Sequence, residues 1–287
     1  TAPTLGENAG QLKPENISYK VVTYPEMKEV ADRVKETSLT VDLPSDQPLA
    51  AYKYAVFAYN GDMKGKGRVS NKVVVGRPME APYSQDFSTA QKFDICEVVN
   101  VNADANTWIK EGKYAKYVYN FYNKADDWLL TPPVKLKGGQ DYTFSITARK
   151  GIAKYREKIM LGYGESTDVT TFKSMSDSIN ITSIEDSLIT HTVKIDHDGV
   201  YRFGVHAVSD ANMFCIYIGS IGIDQVMDET APEAVTDLVV KAANEGELKA
   251  RISFKCPTKR VNGQALAAIK KAVVKRDGTL IATIDNP

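Results

Sequence analysis

Residues 125–149 read ADDWLLTPPVKLKGGQDYTFSITAR. The segment YTFSITAR at 142–149 alternates apolar and polar side chains, the period-2 pattern of a strand with one buried face. The glycine pair just before it indicates a turn. Trp128 follows two acidic residues and leads into an apolar run, so we expect it to anchor the edge of a β-sandwich. The stretch is therefore typical of strands that pack on a common core.

The same pattern extends along the chain. Short runs rich in β-branched and aromatic residues alternate with turn residues, for example ISYKVV at 17–22, YKYAVFAY at 52–59 and YRFGVHAV at 201–208. Helix-like patterns are few, and residues 25–37 have room for about two turns. Many short strands at regular spacing predict sandwiches or barrels rather than a parallel βαβ sheet. We therefore predict an all-β fold class.

Two proline-containing segments divide the chain, VGRPMEAPYSQ at 75–85 and DETAPEAVTD at 228–237. Proline cannot donate a hydrogen bond within a β-ladder, so both segments are typical of connections between domains. The predicted domains are residues 1–77, 78–228 and 229–287.

The two outer domains share a sequence pattern, which suggests two copies of one module. Both place a Pro-Thr pair, at 3–4 and at 257–258, before a loop with Asn and Gly and then an alternating strand. The first domain has no strand-like run before its pair, and the last ends soon after its own. We therefore expect the chain to begin and end inside a module, as a fragment of a longer tandem protein would.

The composition excludes some classes of protein. The chain of 287 residues has 36 Lys plus Arg and 36 Asp plus Glu, so its net charge is zero. This argues against nucleic-acid binding, which needs basic residues to displace counterions. No apolar run has the length of a membrane span. The cysteines Cys96, Cys215 and Cys256 match no zinc spacing, and we interpret them as small buried residues, with a Cys96–Cys215 disulfide as the alternative.

The outer domains carry a family likeness. The segment YKYAVFAYNGDMKGKGRVSNKVVVG at 52–76 resembles the last two strands of a fibronectin type III domain, with the family's Tyr-x-Val-x-Ala-x-Asn pattern beginning at Tyr54. The segment APEAVTDLVVKAANEGELKARISFKCPT at 231–258 is similar to the first two strands of that fold. It departs from the family at Phe254, where tryptophan is usual.

The central domain carries a more specific likeness. PYSQDF at 82–87, NVNADANTW at 100–108, the stretch at 125–149 and GVYRFGVHAVSDANMFCIYIGSIGID at 199–224 follow in order. Together they resemble the cleaved-adhesin, or choice-of-anchor J, domain, a jelly roll akin to galactose-binding and MAM-type modules. The resemblance implies a central jelly-roll β-sandwich with partial fibronectin type III-like modules on both sides. It also implies a secreted or surface location in a bacterium, and in some members binding to host proteins, haem-proteins or glycans.

The run at 100–108 places Asn100, Asn102, Asp104 and Asn106 at alternate positions. Calcium takes roughly six to eight oxygen ligands, and such spacing puts side-chain oxygens on one side of a curled loop. In the related domains this loop reads Asp-x-Asp-Gly-Asp-Gly, so Asn102 and Asp104 are candidate calcium ligands. Here two of the three acids are amides and alanine replaces both glycines, so the alternative is a polar turn rich in local hydrogen bonds.

The resemblance implies a second calcium site. In jelly rolls of this type the first and last strands lie side by side, and carboxylates and backbone carbonyls hold a structural ion there. Asp86 in SQDF and Asp224 in GID are the candidate ligands. The alternative is two strand-end carboxylates in water.

The run YAKYVYNFY at 114–122 is a candidate aromatic binding face. Alternate rings, from Tyr117 to Phe121, would share one side of a strand. Because sugar-binding modules stack rings on such faces, Trp108, Tyr114 and Tyr117 are candidate ligand-binding residues. The alternative is that these rings belong to the core, as aromatic residues on one face of a sandwich strand usually do.

No pattern in the sequence supports catalysis. The histidines His191, His197 and His206 have no nucleophile at a suggestive spacing, and Gly-x-Ser-x-Gly, phosphate-loop and His-Glu-x-x-His motifs are missing. His206 alternates with apolar neighbours and is expected to be a hydrogen-bonded strand residue. The adjacent acids Asp126 and Asp127 would point to opposite faces of a strand, which does not suit glycoside hydrolysis. We predict that the protein is not an enzyme.

We predict a non-catalytic extracellular adhesion or binding segment, in which loops at one end of the jelly roll contact a host protein or glycan. The candidate loops are 100–115, 150–156 and 164–180. The alternatives are an accessory module of a larger secreted protease or glycan-degrading enzyme, and a purely structural spacer. Incomplete outer modules would also expose strand edges, so VTDLVV and LKARISF of one copy could complete the first domain of another and give head-to-tail chains.

Overall fold

β-Strands form nearly all the regular structure of the computed structural model, which describes residues 3–6, 10–242, 249–276 and 279–287. Within those residues, helical structure is confined to α1 (Ala90–Asp94) and two 3₁₀ turns, Pro14–Asn16 and Val169–Thr171. The chain divides into two compact units, residues 1–225 and 226–287. The predicted all-β fold class is confirmed.

The segment before residue 77 contributes six strands. They are β1 (Ile17–Thr23), β2 (Glu29–Val34), β3 (Ala50–Tyr52), β4 (Tyr54–Asn60), β5 (Met63–Val69) and β6 (Val73–Val75). Four of them form an antiparallel sheet in the order β2-β1-β4-β5, and β3 pairs with β6. The order β2-β1-β4-β5 also occurs in one sheet of immunoglobulin-like sandwiches. The fibronectin assignment of this segment stays a prediction.

The helix-like pattern of residues 25–37 does not form a helix. Residues 29–34 pair with β1 as strand β2, with Val34 opposite Tyr19 and Glu29 opposite Val22. The reason is that β1 offers a row of backbone hydrogen-bond partners, whereas an isolated helix of two turns is marginal in water.

The jelly roll follows, with fourteen strands. They are β7 (Met79–Glu80), β8 (Tyr83–Asp86), β9 (Glu97–Asn100), β10 (Trp108–Glu111), β11 (Tyr114–Val118), β12 (Asp127–Leu130), β13 (Val134–Leu136), β14 (Asp141–Lys150), β15 (Glu157–Gly164), β16 (Lys173–Ser174), β17 (Ile179–Ile181), β18 (Ser187–Lys194), β19 (Gly199–Ala207) and β20 (Cys215–Gln225). The front sheet has the order β10-β11-β20-β14-β18, with β8 on β20. The back sheet has the order β16-β15-β19-β12-β9, with β13, β17 and β7 attached.

The core lies between these two sheets because their strands alternate as the sequence predicts. In β14 the side chains of Phe144 and Ile146 are buried and their neighbours face outward, and in β19 Phe203 and Val205 are buried. The rings of Phe144 and Phe203 meet across the sandwich with centroids 5.2 Å apart. Inward side chains of both sheets thus interdigitate, as in other sandwiches.

The stretch at 125–149 spans both sheets. β12 and β13 lie in the back sheet, and β14 crosses to the front sheet after the glycine turn. Gly139 has a φ of +77°, which favours glycine, and a Cβ at Gly138 would lie 2.5 Å from the Cα of His197. The turn therefore requires this glycine pair, which fixes where the chain changes sheets.

The second unit consists of two hairpins. Strand β21 (Thr236–Ala242) pairs with β22 (Ala250–Lys255), and β23 (Lys271–Arg276) pairs with β24 (Thr279–Asp285). None of the residues that the structure describes between 226 and 287 is buried. The predicted strand LKARISF corresponds to β22, and its first residue, Leu248, lies outside the described residues.

Candidate functional site

The polar run at 100–106 forms a loop closed by its own hydrogen bonds. The carboxylate of Asp104 accepts from the backbone N–H of Asn106 (2.7 Å) and from the side chain of Asn123 (3.2 Å). The side-chain oxygen of Asn102 accepts from the backbone N–H of Asp104 (3.1 Å). These oxygens are used within the loop, as the polar-turn alternative describes. Calcium binding by Asn102 and Asp104 stays a prediction.

Strands β8 and β20 lie side by side, as the resemblance implies, but their register separates the two candidate carboxylates. Asp86 lies opposite Ser220, four residues from Asp224, so the carboxylates are roughly 13 Å apart along the strand. Asp86 accepts hydrogen bonds from Lys92 (2.5 Å) and the Ser88 hydroxyl (2.7 Å), and the bond from Lys92 holds its pKa well below the ordinary value. The structure does not bring Asp86 and Asp224 together around one ion.

Trp108 and Tyr117 are core residues. Their side chains face inward from paired positions on β10 and β11, with 2% and 1% of their surface exposed. The two ring centroids are 5.6 Å apart, and the Trp108 indole donates to the backbone oxygen of Asp127 (3.0 Å). The prediction that these two rings bind a ligand is therefore wrong. Burial of the inward strand face placed them in the core, which was the alternative.

Trp128 lies on the outer face of the back sheet, where it stacks on His206 with ring centroids 4.3 Å apart. Gly204 makes room for it, because a Cβ there would lie 2.7 Å from the indole. The ring nitrogen Nε2 of His206 is 2.7 Å from an oxygen of Asp126. Burial lowers the pKa of His206, although Asp126 opposes this shift. The expected hydrogen-bonded role of His206 is confirmed.

Tyr114 is the predicted ligand residue that remains on the surface. It faces outward from β11 because its neighbour Ala115 faces the core. Tyr217 of β20 lies beside it, with ring centroids 5.3 Å apart and planes at 68°. The guanidinium of Arg149, on β14, lies 3.9 Å from the Tyr217 centroid and 4.7 Å from that of Tyr114. We call Tyr114, Arg149 and Tyr217 the tyrosine–arginine face.

Charged side chains hold this face in place. The hydroxyl of Tyr114 donates to Asp186 (3.0 Å), and that of Tyr217 donates to Glu111 (3.3 Å). Lys116 donates to Glu111 (2.8 Å), which lowers the pKa of that carboxyl group and keeps it ionised. Burial raises the pKa of Tyr217, so its hydroxyl stays protonated. Both rings are therefore fixed in orientation, with charged groups at their edges.

A glycine forms the floor beside the rings. A Cβ at Gly219 would lie 2.8 Å from the Thr147 hydroxyl and 3.2 Å from the Tyr114 ring, so a larger residue would fill this space. Beyond it the outer surface of the front sheet presents hydroxyl groups, among them Thr147 bonded to Ser220 (2.9 Å). Two aromatic rings beside hydroxyl, carboxylate and cationic groups can bind a ligand that has both an apolar ring face and hydroxyl groups.

Sequence reasoning missed Arg149, Asp186 and Tyr217. They are far apart in the sequence and meet only through the pairing of β11, β20, β14 and β18, which begins directly after Asp186. A signal was present for Tyr217, which stands between the apolar residues Ile216 and Ile218 and therefore faces outward if they face inward. The strand register that brings these three residues together could not be predicted from the sequence.

The predicted loop 164–180 contributes to a small cavity of about 160 Å³ at another position of the jelly roll. Tyr163 and Tyr201 form part of its wall. An ion pair between Lys173 and Asp196 (2.8 Å) and a contact between His197 and Glu165 (3.2 Å) lie at its rim. These polar groups thus already contact each other.

Other predicted features have direct outcomes. Cys96, Cys215 and Cys256 are free thiols, and the first two are buried, as the favoured interpretation held. Across the described part of the chain, no group of three or more His, Cys, Asp or Glu is arranged to hold a metal. No helix within that part is both long and apolar enough to span a bilayer.

Comparisons with known proteins give structural neighbours. Neither a family model nor a curated protein sequence matches the chain. Among solved structures, the K3 and K1 cleaved adhesin domains of Lys-gingipain from Porphyromonas gingivalis W83 are 15% and 17% identical in sequence to this chain. Each comparison covers 50% of this chain and 98% of the adhesin domain, with a TM-score of 0.38. The CBM22-1 xylan-binding domain from Paenibacillus barcinonensis is 7% identical over 53% of this chain and 98% of that domain, with a TM-score of 0.37.

Proposed function

We propose that this chain is a non-catalytic, extracellular binding segment whose jelly roll binds carbohydrate on the tyrosine–arginine face. One observation carries the proposal. Tyr114 and Tyr217 are large rings at outward positions of a sheet, where core formation gives no reason to place them, and they lie side by side. Rings in that position provide apolar surface that a partner can cover.

The surrounding groups suit a polyhydroxylated ligand. Arg149 carries five N–H donors, and its Nε lies 3.7 Å from Asp186, so donors remain for a ligand hydroxyl or carboxylate. Glu111 and Asp186 supply carboxyl oxygens as acceptors beside the two rings. Hydrogen bonds to charged groups are stronger than neutral ones, and so they can fix the orientation of a sugar stacked on the rings.

The test is binding to a panel of soluble plant, fungal and bacterial polysaccharides by affinity electrophoresis, followed by calorimetry. Replacing Tyr217 by alanine should weaken binding about tenfold, because an aromatic contact contributes roughly 1 kcal/mol or more beyond area burial. The matched control is Tyr122→Ala, since that ring is 85% exposed and lies outside the face. Equal loss in both variants, or no binding to any polysaccharide, would contradict the proposal.

A protein partner is the second candidate for the same face, because paired tyrosines and an arginine are also typical of protein-binding hot spots. A pull-down with host extracellular proteins separates the two, since Tyr217→Ala should reduce whichever interaction is real. The resemblance and this face also support a role as an accessory module of a larger secreted protease or glycan-degrading enzyme. A spacer role would predict that neither ligand class binds.

We also propose head-to-tail self-association through the outer segments. In the first segment Tyr19 and Val56 line an open hollow of about 330 Å³, and in the second unit Leu238 and Val240 are each 61% exposed. Exposed apolar patches of this kind mark interaction surfaces. Light scattering over a range of concentrations should show growing mass, which Val240→Asp reduces. A strictly monomeric chain at high concentration would count against this.

A further inference from the structure

The tyrosine–arginine face carries acidic and basic groups, and they differ in whether their hydrogen-bonding capacity is already used. The acidic groups are Glu111 and Asp186. Both oxygens of Glu111 accept from Lys116, at 2.9 and 2.8 Å, and one also accepts from the Tyr217 hydroxyl (3.3 Å). Asp186 accepts from the Tyr114 hydroxyl (3.0 Å). Each carboxyl group therefore already serves to hold a ring in place.

Two basic groups of the face still have free donors. Arg149 donates no hydrogen bond to any residue that the structure describes, and the 3.7 Å between its Nε and Asp186 is too long for one. Lys113 likewise has no hydrogen-bond partner within the described ranges, and its Nζ lies 5.3 Å from the centroid of the Tyr114 ring. The free hydrogen-bonding capacity beside the rings is therefore mainly that of cationic donors.

Packing holds the guanidinium of Arg149 in one orientation. Its central carbon lies 3.9 Å from the Tyr217 centroid and 4.7 Å from that of Tyr114, and only 23% of the side chain is exposed. A guanidinium that is already stacked on a ring loses little further freedom when it binds a ligand. Its planar fork of N–H groups matches the two oxygens of a carboxylate, which a lysine ammonium cannot do. Arg149 is thus oriented in advance to bind a planar anion.

We propose that the tyrosine–arginine face recognises an acidic sugar, a uronic acid whose carboxylate pairs with Arg149 while its ring lies against Tyr114. This rests on the carbohydrate binding proposed above and names the class of sugar that the face takes. Lys113 lies on the turn between β10 and β11 and adds a second positive charge on the other side of Tyr114. A neutral sugar would leave both cations without an anionic partner from the ligand, so the face favours the acidic sugar.

The floor of the face continues as a furrow that suits a sugar chain. A Cβ at Gly222 would lie 2.5 Å from the Ser145 hydroxyl oxygen, just as one at Gly219 would meet the hydroxyl of Thr147. The two glycines are three residues apart on β20, which is about 10 Å along the strand. Hydroxyl groups of β14 follow this furrow. We therefore expect the acidic sugar at the rings and further sugars of the same chain along the furrow.

The test compares acidic polysaccharides with their own neutral forms, on the full chain, by affinity electrophoresis and calorimetry. Glucuronoxylan, polygalacturonate and alginate are each used before and after reduction of their carboxyl groups to alcohols, which keeps the backbone and removes the charge. At least one acidic polymer should bind tenfold or more tightly than its reduced form, because hydrogen bonds between charged groups are stronger than neutral ones. This preference should shrink as salt is added.

Variants assign the preference to the guanidinium. Arg149→Gln should lower affinity for the acidic polymer at least tenfold and change affinity for the reduced polymer less than about twofold. Arg149→Lys keeps the charge without the planar fork and should restore only part of the loss. Arg68→Gln, at an exposed arginine of β5, is the matched control and should bind both polymers as the wild type does.

The outcomes separate this proposal from carbohydrate binding itself. Tyr217→Ala should weaken binding of both polymer forms, because a ring contact does not depend on the carboxylate. If both forms bind the wild type equally and both lose affinity in Tyr217→Ala, carbohydrate binding stands and the acidic-sugar proposal is overturned. Dextran sulfate that binds as tightly as the acidic polymer, with the same loss in Arg149→Gln, would also overturn it, since the face would then attract any polyanion. If no polysaccharide of either form binds, both proposals fail.

Discussion

The jelly roll and the unit of residues 226–287 are made of strands with similar composition, yet the apolar side chains of these strands are buried to different degrees in the two regions. In β14 of the jelly roll, Phe144 and Ile146 are almost completely buried. In β21 of the second unit, Leu238 and Val240 remain mostly exposed. Alternation of apolar and polar residues selects a strand face in both regions, but a core forms only where a second sheet covers that face. The back sheet does this for β14 through residues such as Phe203.

The same difference decides where a site can be built. A binding face needs side chains held in one orientation, and Tyr114, Arg149 and Tyr217 stand on three adjacent strands whose other faces are anchored in the core. Among the described residues of the second unit, each strand pairs with only one other strand, in a two-stranded hairpin. A ligand-binding site is therefore expected in the jelly roll, because side chains anchored on a packed sheet keep their relative positions better than side chains on a hairpin without a core.

The largest contrast should appear in hydrogen exchange. Isolated two-stranded hairpins are marginally stable in water, so amides of β21 to β24 should exchange through local opening at almost no free-energy cost. Amides of β14 and β19 should exchange only through global unfolding, orders of magnitude more slowly. Mass-spectrometric exchange on the intact chain measures both. Equal protection of β14 and β22 would mean that the second unit acquires a core in solution.

Core truncation should give the next largest contrast. Phe203→Ala removes a fully buried ring that packs on Phe144 and Tyr163, and it should cost about 3–5 kcal/mol of unfolding free energy. Val240→Ala, in the exposed face of β21, should change the stability of the jelly roll by less than about 0.5 kcal/mol. Denaturant unfolding followed by tryptophan fluorescence reports the jelly roll alone, since both tryptophans lie there. Similar costs for both variants would refute the contrast.

A closely packed glycine should give a smaller change in stability than truncation of the core. Gly204→Ala would place a Cβ 2.7 Å from the Trp128 ring and 2.8 Å from Leu130, and overpacking of this kind costs about 1–3 kcal/mol. Gly10→Ala is the control, because no heavy atom lies within 4 Å of its Cβ position. Thermal unfolding of the two variants should therefore differ by several degrees. Combining Gly204→Ala with Trp128→Leu should cost less than the sum of the single changes, because the clash is with the indole.

Much of the fold could be predicted from the sequence. The stretch at 125–149 contains β12, β13 and nearly all of β14, and the turn between the last two occurs at its glycine pair. These features follow from local chemistry, namely period-2 alternation and the backbone freedom of glycine. The pattern at 25–37 misled because strand pairing with β1, which is not local, determined its structure.

The candidate site was much less predictable. Tyr114 was identified from its aromatic run, but the same run gave Tyr117, which is in the core. Alternation tells which side chains share a face, and it does not tell which face the opposing sheet will cover. Arg149 reaches Tyr114 only through the register of β14 on β20 and of β20 on β11.

The smallest expected effect concerns the exposed carboxylate of Asp198, which accepts hydrogen bonds from the turn before β14. Asp198 accepts hydrogen bonds from Lys137 (2.9 Å) and from the backbone N–H of Gly138 (2.9 Å), and the bond from Lys137 lowers its pKa. A lowered pKa means that the unfolded chain takes up a proton first, so the contribution of Asp198 is complete above the ordinary Asp value of about 3.9 and is lost as the pH falls through the lower folded value.

The melting temperature of Asp198→Asn should therefore lie slightly below that of the wild type near neutral pH, and the gap should close in acid. Salt should narrow the gap as well, because the ion pair is exposed. Asp237→Asn provides the comparison in the second unit, where Asp237 pairs with Lys255 (2.6 Å) across a hairpin without a buried core. It should leave the melting temperature of the jelly roll unchanged at every pH. A gap for Asp198→Asn that persists in acid would mean that the residue acts through packing rather than through its charge.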